Sequence, residues 1–316
     1  MSPSHAHPRN KPSTSLSLVL AFASLYFFWG STYTAISIGG AEMPALLFGA
    51  ARFLIAGLIL LAACAVMGLR LWWAPRDMAI TAIVGIFLLS GSNVALIYAE
   101  QYIPSGLASL ISACIPLLIA LAEMILPHGE PLPLRGWFGL ALGFAGLAIL
   151  LSPSLRSGFH GNTTRLFAIG VLLFGCLCWT VGTVIGRRSR LQMNSVVGAA
   201  WQMFAAGIVN LILGTAFHQW PAFHPSSRGL LAIAYLVVGG SLIGYTSFVY
   251  LIERVPIAKV ASYAYVNPVI AVLLGIFILH ERPAAAEFTG MIAILLSVFL
   301  ITTAQVRSKS ISIPAE

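Results

Sequence analysis

"YAEQYIPSGLASLISACIPLLIALAEMILPHGEP", residues 98–131, sets Tyr98, Pro104, Pro116, His128 and Pro131 in a long apolar run. "YLIERVPIAKVASYAYVNPVIAVLLGIFILHERP", residues 250–283, carries the same residues at the same spacings. Tyr98, Pro104, Pro116, His128 and Pro131 each recur 152 positions later, as Tyr250, Pro256, Pro268, His280 and Pro283. The pattern reaches beyond these stretches, for Trp29 matches Trp179 and Ala56-Gly57 matches Ala206-Gly207 at an offset of 150. Apolar matches between membrane segments carry no information. Ordered matches of Tyr, Pro, His and Pro without a gap do, and they say that the chain is written twice.

Composition fixes the solvent. Hydrophobic residues make up 59% of the chain and charged residues 8%, against roughly 25% charged in a soluble domain. The apolar residues come in blocks of about 20, the length a helix needs to cross a hydrocarbon core of roughly 30 Å. Ten blocks are expected, near 16–38, 44–67, 78–98, 105–126, 134–152, 166–186, 195–217, 229–251, 257–279 and 285–304. The links between them are too short to hold a soluble domain, and the tails 1–15 and 305–316 are polar. The net charge of +8 does not point to nucleic acid, because the basic residues sit between apolar blocks instead of on one exposed surface. The first block outruns a signal-peptide core and ends at no small-residue cleavage site, so it reads as a retained helix. The four cysteines, Cys64, Cys114, Cys176 and Cys178, all fall in apolar blocks with neither a disulfide framework nor metal-site spacing. No cofactor and no metal is expected.

Lys and Arg in short loops favour the cytoplasmic side. With the N-terminus inside, twelve of the 17 basic residues face the cytoplasm, four face out, and Arg52 lies within a helix. Both termini are therefore expected inside. Five helices per copy is an odd number, so the second copy enters the membrane from the opposite side. The expected fold is all-α and integral to the membrane, with ten transmembrane helices as two inverted five-helix repeats. Residues 16–152 form the first repeat, 153–165 an external linker and 166–304 the second. Inverted repeats of this kind recur in secondary transporters, where the halves rock about a site near the midplane.

"WGSTYTAIS" in the first block, "ARFLIAGLIL" in the second, "HGEP" and "HERP" after the fourth and ninth, and ten helices in two halves together resemble the EamA family of the drug/metabolite transporter superfamily. The resemblance spans about residues 16 to 304. It implies a bacterial inner-membrane exporter of amino acids or related metabolites, and leaves the substrate open.

Polar and aromatic residues at mid-depth are the site candidates, because lipid offers them no partners. Trp29 lies roughly 20 Å along its helix, too deep for an interfacial anchor. Trp29 and Trp179 read as cavity walls or as close packing. Asn93, its counterpart Tyr245, and Asn267 suit the orientation of a small zwitterion, with hydrogen bonding between helices as the ordinary alternative. Tyr33 and Tyr263 add aromatic edges. Pro116 and Pro268 each lack an N–H and are hinge candidates. Arg52 is the deepest cation, and its counterpart is the neutral Gln202. Its candidate partners are loop water, helix carbonyls, Glu100 or the carboxylate of a bound substrate. Glu123 reads as solvated near the cytoplasmic end of the fourth block.

The sequence therefore points to a carrier that exports small metabolites, amino acids or amphiphilic compounds, by alternating access. The rival classes are an integral membrane enzyme and a receptor. No Asp falls in an apolar block, no HExxH or paired-acid motif is present, and no phosphate-binding G-x-x-x-x-G-K-[ST] loop exists to drive a pump. The chain is accordingly not read as an enzyme. Its expected partners are a small-molecule substrate and the lipid bilayer, with no nucleic acid, and a homodimer is left open. Energy coupling is not legible.

Overall fold

Apolar stretches in hydrocarbon must satisfy their own backbone groups, and this chain does so with helices. The computed structural model describes residues 15–127, 134–159, 163–189, 191–252, 254–255, 260 and 262–311. The first copy holds α1 (Ser15–Gly40), α2 (Ala45–Val66), α3 (Pro75–Ala99), α4 (Ser105–Ile125) and α5 (Leu134–Phe159). The second holds α6 (Thr163–Arg188), α7 (Ser195–Ala216), α8 (residues 227–252), α9 (Tyr263–Leu279) and α10 (Ala285–Ile311). Eight of the described helices, α1 to α8, are long and apolar enough to cross a membrane. The apolar segments Val266–Leu279 and Ala285–Leu300 are shorter. The "HGEP" turn and Pro256 lie outside the described residues.

Helix ends follow local chemistry. Asn194 accepts from the amides of Val196 and Val197 at the start of α7, and Ser226 accepts from Arg228 and Gly229 at the start of α8. Such caps satisfy amides with no partner inside the helix. Helix α2 ends on Gly68 at φ 70°, and α7 ends on His218 at φ 54°. The two positions are 150 apart, and each turns the chain through the left-handed region that closes a helix. Helix α5 runs on to Phe159 with Pro153 inside it, so the segment expected as a linker is helical up to residue 159.

The repeat read in the sequence is also visible in backbone geometry. Within α3, residues Ile86–Ser92 widen into a π-helical stretch, and within α8, Leu236–Gly244 does the same. At the 152-residue offset the two stretches end at equivalent residues, and the second begins two residues earlier. The packing is paired in the same way. Helix α1 lies against α8 and α9, while α6 lies against α3 and α4. Helix α2 packs along α7, its own counterpart, and α5 along α10. One buried cluster joins α1, α2, α3, α7 and α8 around Phe48, Phe53 and Met203. Another joins α4, α5, α6, α9 and α10 around Leu117, Leu150 and Ile294. Large apolar side chains such as Leu58, Phe138, Phe174 and Ile212 are exposed, as expected of a surface whose solvent is lipid.

Glycines let backbones approach. A Cβ on Gly143 would fall on the Leu117 and Ser297 side chains, and Ser297 donates to the Gly139 carbonyl at 2.6 Å. Gly182 meets Leu88 and Phe87 of α3 in the same manner. Both spaced glycine pairs, Gly139/Gly143 and Gly182/Gly186, are thus packing sites. The four cysteines are buried and free.

Candidate functional site

The two copies meet around a cavity whose non-atom space is about 1010 Å³, the open solvent at its mouth included. Helix α1 contributes Trp29, Thr32 and Tyr33, and α2 contributes Arg52 and Phe53. Asn93 comes from α3, Ser109, Ser112 and Pro116 from α4, and Leu172 and Trp179 from α6. Gly240, Ser241 and Tyr245 come from α8, and Tyr263, Asn267 and Pro268 from α9.

Arg52 is 6% exposed. Its Nε donates to Ser241 Oγ at 3.3 Å and Nη1 to Asn93 Oδ1 at 3.4 Å, and the guanidinium lies 4.8 Å from the Phe53 ring centroid. No carboxylate among the described residues pairs with it. Glu100, one of the partners considered from sequence, does not reach it, because seven residues past Asn93 place it about 10 Å further along α3. The long hydrogen bonds and a ring face leave a buried cation with neutral company only, an arrangement that favours an incoming anion.

The counterpart of this pair is neutral. Gln202 does not line the cavity; its Oε1 accepts from the Tyr245 hydroxyl at 3.1 Å. Arg52 with Asn93 and Gln202 with Tyr245 therefore occupy equivalent places in the two copies. One carries charge and the other does not.

The wide turn of α8 positions much of the wall. The Gly240 carbonyl accepts from Trp29 Nε1 at 3.2 Å. A side chain at Gly240 would meet Thr32 and the Arg52 guanidinium, so glycine there keeps space for both. Trp29 stacks on Phe248 at 5.3 Å and meets Tyr263 edge-on at 5.1 Å. Trp179 lines the same cavity without a hydrogen bond to its indole among those described. The Asn267 amide, turned so that its nitrogen donates, bonds the carbonyls of Tyr26 and Tyr263 at 3.2 Å each. It therefore ties α1 to α9 as well as facing the cavity.

The two prolines differ. Helix α4 is interrupted at Ala113 and Cys114, and Pro116 falls in the first turn of the segment that restarts at Ile115, a position that tolerates a missing N–H. Pro268 lies inside the continuous α9. Glu123 pairs with Arg187 at 3.5 Å and Arg188 at 3.1 Å, which links α4 to α6. Ser109, Ser112 and Ser241 carry no signal in the sequence: the first two bond back to their own helix, as serines in apolar runs commonly do, and the third meets Arg52 from 189 positions away.

A cavity shared by two copies of one helical unit, lined by aromatic rings around a buried cation, defines a membrane protein of the two-repeat transporter class. The EamA-like transporter family matches residues 16–152 and 166–303, one match per copy, and the chain belongs to it. Escherichia coli K12 has a relative 36% identical over 289 residues, 91% of each chain, named "Uncharacterized inner membrane transporter YedA". In Bacillus subtilis strain 168, "Uncharacterized transporter YvbV" is 28% identical over 96% of each chain. A solved crystal structure at 23% identity superposes with a TM-score of 0.67, covering 93% of this chain and 99% of that one. That likeness concerns the fold.

Proposed function

We propose that the protein is a carrier in the bacterial inner membrane that exports small metabolites, amino acids or amphiphilic compounds, by alternating access. Ten helices span the bilayer as two inverted five-helix repeats, with both termini in the cytoplasm. The observation that carries this reading is the cavity between the copies, with Arg52 inside it and no carboxylate among the described residues paired with it. A substrate carboxylate would complete the pair, and the aromatic wall of Trp29, Trp179 and Tyr263 would hold the apolar part. Ser112, Asn93 and Tyr245 would supply donors and acceptors for an amino group or amide. Pro116 and Pro268 would act as hinges in equivalent helices of the two copies. An inverted pair can adopt two mirrored asymmetric conformations, one open to each side, and this gives the duplication its use.

The test is transport by purified protein in liposomes, screened against labelled amino acids and amphiphilic cations. Saturable uptake or counterflow of a carboxylate-bearing compound, lost in Arg52→Gln, supports the reading. Transport of cations alone, unaffected by Arg52→Gln, removes the assigned role of Arg52.

A further inference from the structure

Glu100 immediately follows α3, at the end of the bundle that the proposed orientation puts outside. It is 6% exposed, and neither of its carboxylate oxygens has a hydrogen-bond partner. An ionised carboxylate without a partner is among the most costly groups to bury. Among the described residues no hydrogen-bond donor compensates. Tyr33 of α1 and Glu281, at the turn between α9 and α10, both interact with it electrostatically, and neither brings a positive charge.

Glu281 is satisfied as an anion. Its Oε1 accepts from the amide and hydroxyl of Ser105 at 2.7 Å each, and Oε2 accepts from the Gly106 amide at 3.0 Å. These are the first residues of α4, so Glu281 caps α4 from the opposite copy of the repeat. Gly275 and Gly106 leave room for its carboxylate. Glu287 accepts from the Ala284 amide at 3.1 Å and interacts electrostatically with Arg165. The two neighbouring carboxyls thus have opposite environments, three donors for Glu281 and none for Glu100. Burial, reinforced by the Glu281 carboxylate, pushes the Glu100 carboxyl well above the usual carboxylate range.

The same end of the bundle is closed by further bonds. Gln101 donates to the Gly40 carbonyl at 2.8 Å, and Ser226 bonds Glu42 at 2.5 Å. Ile103, Leu107 and Leu110 are buried behind them.

Resting on the two-state carrier reading above, we propose that Glu100 is a proton-binding site, and that the external end closes only with a proton on it. Opening that end would part Glu281 from Ser105 and Gly106 and admit water to Glu100, which could then ionise. The sign follows from linkage. A group whose pKa is raised in the closed form favours closure below its pKa in the open form, and that preference is lost as pH rises through the closed-form value. External acid therefore closes the carrier, and external base opens it.

The test needs no substrate. Ser109→Cys places a thiol on the cavity wall just inside the closure, and Ala222→Cys places one on the exposed loop at the same end. Both are labelled with a membrane-impermeant maleimide in right-side-out vesicles, with the parent chain and its four buried cysteines as background. The ratio of the two rates cancels the reagent's own pH dependence. With Glu100 present, the ratio should rise about tenfold per pH unit across the transition, as release of one proton requires. With Glu100→Gln, which keeps the shape of the protonated acid, it should stay low and flat. A pH-independent ratio with Glu100 present, or an unchanged pH dependence in Glu100→Gln, overturns the proton site and leaves the carrier reading standing. Ser109→Cys that reacts at no pH overturns both. Should Glu100→Gln fail to fold, infrared spectra of the Glu287→Gln protein decide. A protonated carboxylic acid band must be present at neutral pH, and its absence overturns the proposal.

Discussion

Gly57 of α2 and Gly207 of α7 occupy equivalent positions and make equivalent contacts. A Cβ on Gly57 would come within 2.7 Å of the Phe204 amide nitrogen, and one on Gly207 within 2.7 Å of the Leu54 amide nitrogen. Leu54 and Phe204 are themselves counterparts, 150 residues apart. The two helices therefore touch backbone to backbone at equivalent points. Side-chain repacking cannot relieve an added methyl there, because the obstacle is main chain.

Gly57→Ala and Gly207→Ala are each expected to destabilise the protein by about 1–3 kcal/mol, the cost of overfilling a packed contact. Thermal unfolding followed by size-exclusion chromatography should show both losses. Gly170, which has open space around it, should accept alanine without loss. Equal tolerance at Gly57 and Gly170 would contradict the backbone contact.

Arg52→Gln is expected to insert and fold, since glutamine is what the other copy holds at that place. Its apparent KM for carboxylate-bearing substrates should rise about tenfold or more, the scale of one lost charge-assisted bond of roughly 1.5–3 kcal/mol. For cationic substrates KM should be unchanged. Full carboxylate transport by well-expressed Arg52→Gln protein would show that the charge serves the fold alone.

Trp29→Ala and Trp179→Ala should both reduce transport at unchanged membrane abundance, because each presents a ring to the cavity. Trp29→Phe separates two roles of one residue. It preserves the stacking on Phe248 and removes the bond to Gly240, so an intermediate rate is expected. Parallel loss of folded protein and transport in the alanine variants would assign the tryptophans to packing.

Topology can be read with reporter fusions. Fusions after residues 41, 102, 161, 222 and 283 should report the outside, and those after 73, 130, 190 and 254 the inside. A cytoplasmic signal at 161, between the copies, would remove the inversion and with it the symmetric carrier.

The duplication was legible because Tyr, Pro, His and Trp stand out against an apolar background, and the paired glycines gave further fixed points. What escaped was geometry that leaves composition untouched. "IFLLSGS" and "LVVGGSLIG" read as ordinary apolar helix, yet both form wide turns. The apolar block ending near residue 152 marks a change of solvent, and α5 continues past it because a helix does not need lipid. Arg52 was conspicuous as a charge in an apolar run, whereas its contact with Ser241 joins α2 to α8 across 189 positions, with no local signal. In the sequence Glu100 stands out only as a candidate partner for that charge. Its isolation emerges only once the neighbours are in place.

The π-helical stretches also bear on ancestry. Such a stretch accommodates one residue more than a plain α-turn, as a single insertion in an α-helix would provide. It overlaps in the two copies, Ile86–Ser92 and Leu236–Gly244 ending at equivalent residues. The simplest history is one insertion in a five-helix ancestor, inherited twice when the gene doubled. The later divergence of the copies, arginine in one and glutamine in the other, then took place on a scaffold already shaped to hold a cavity.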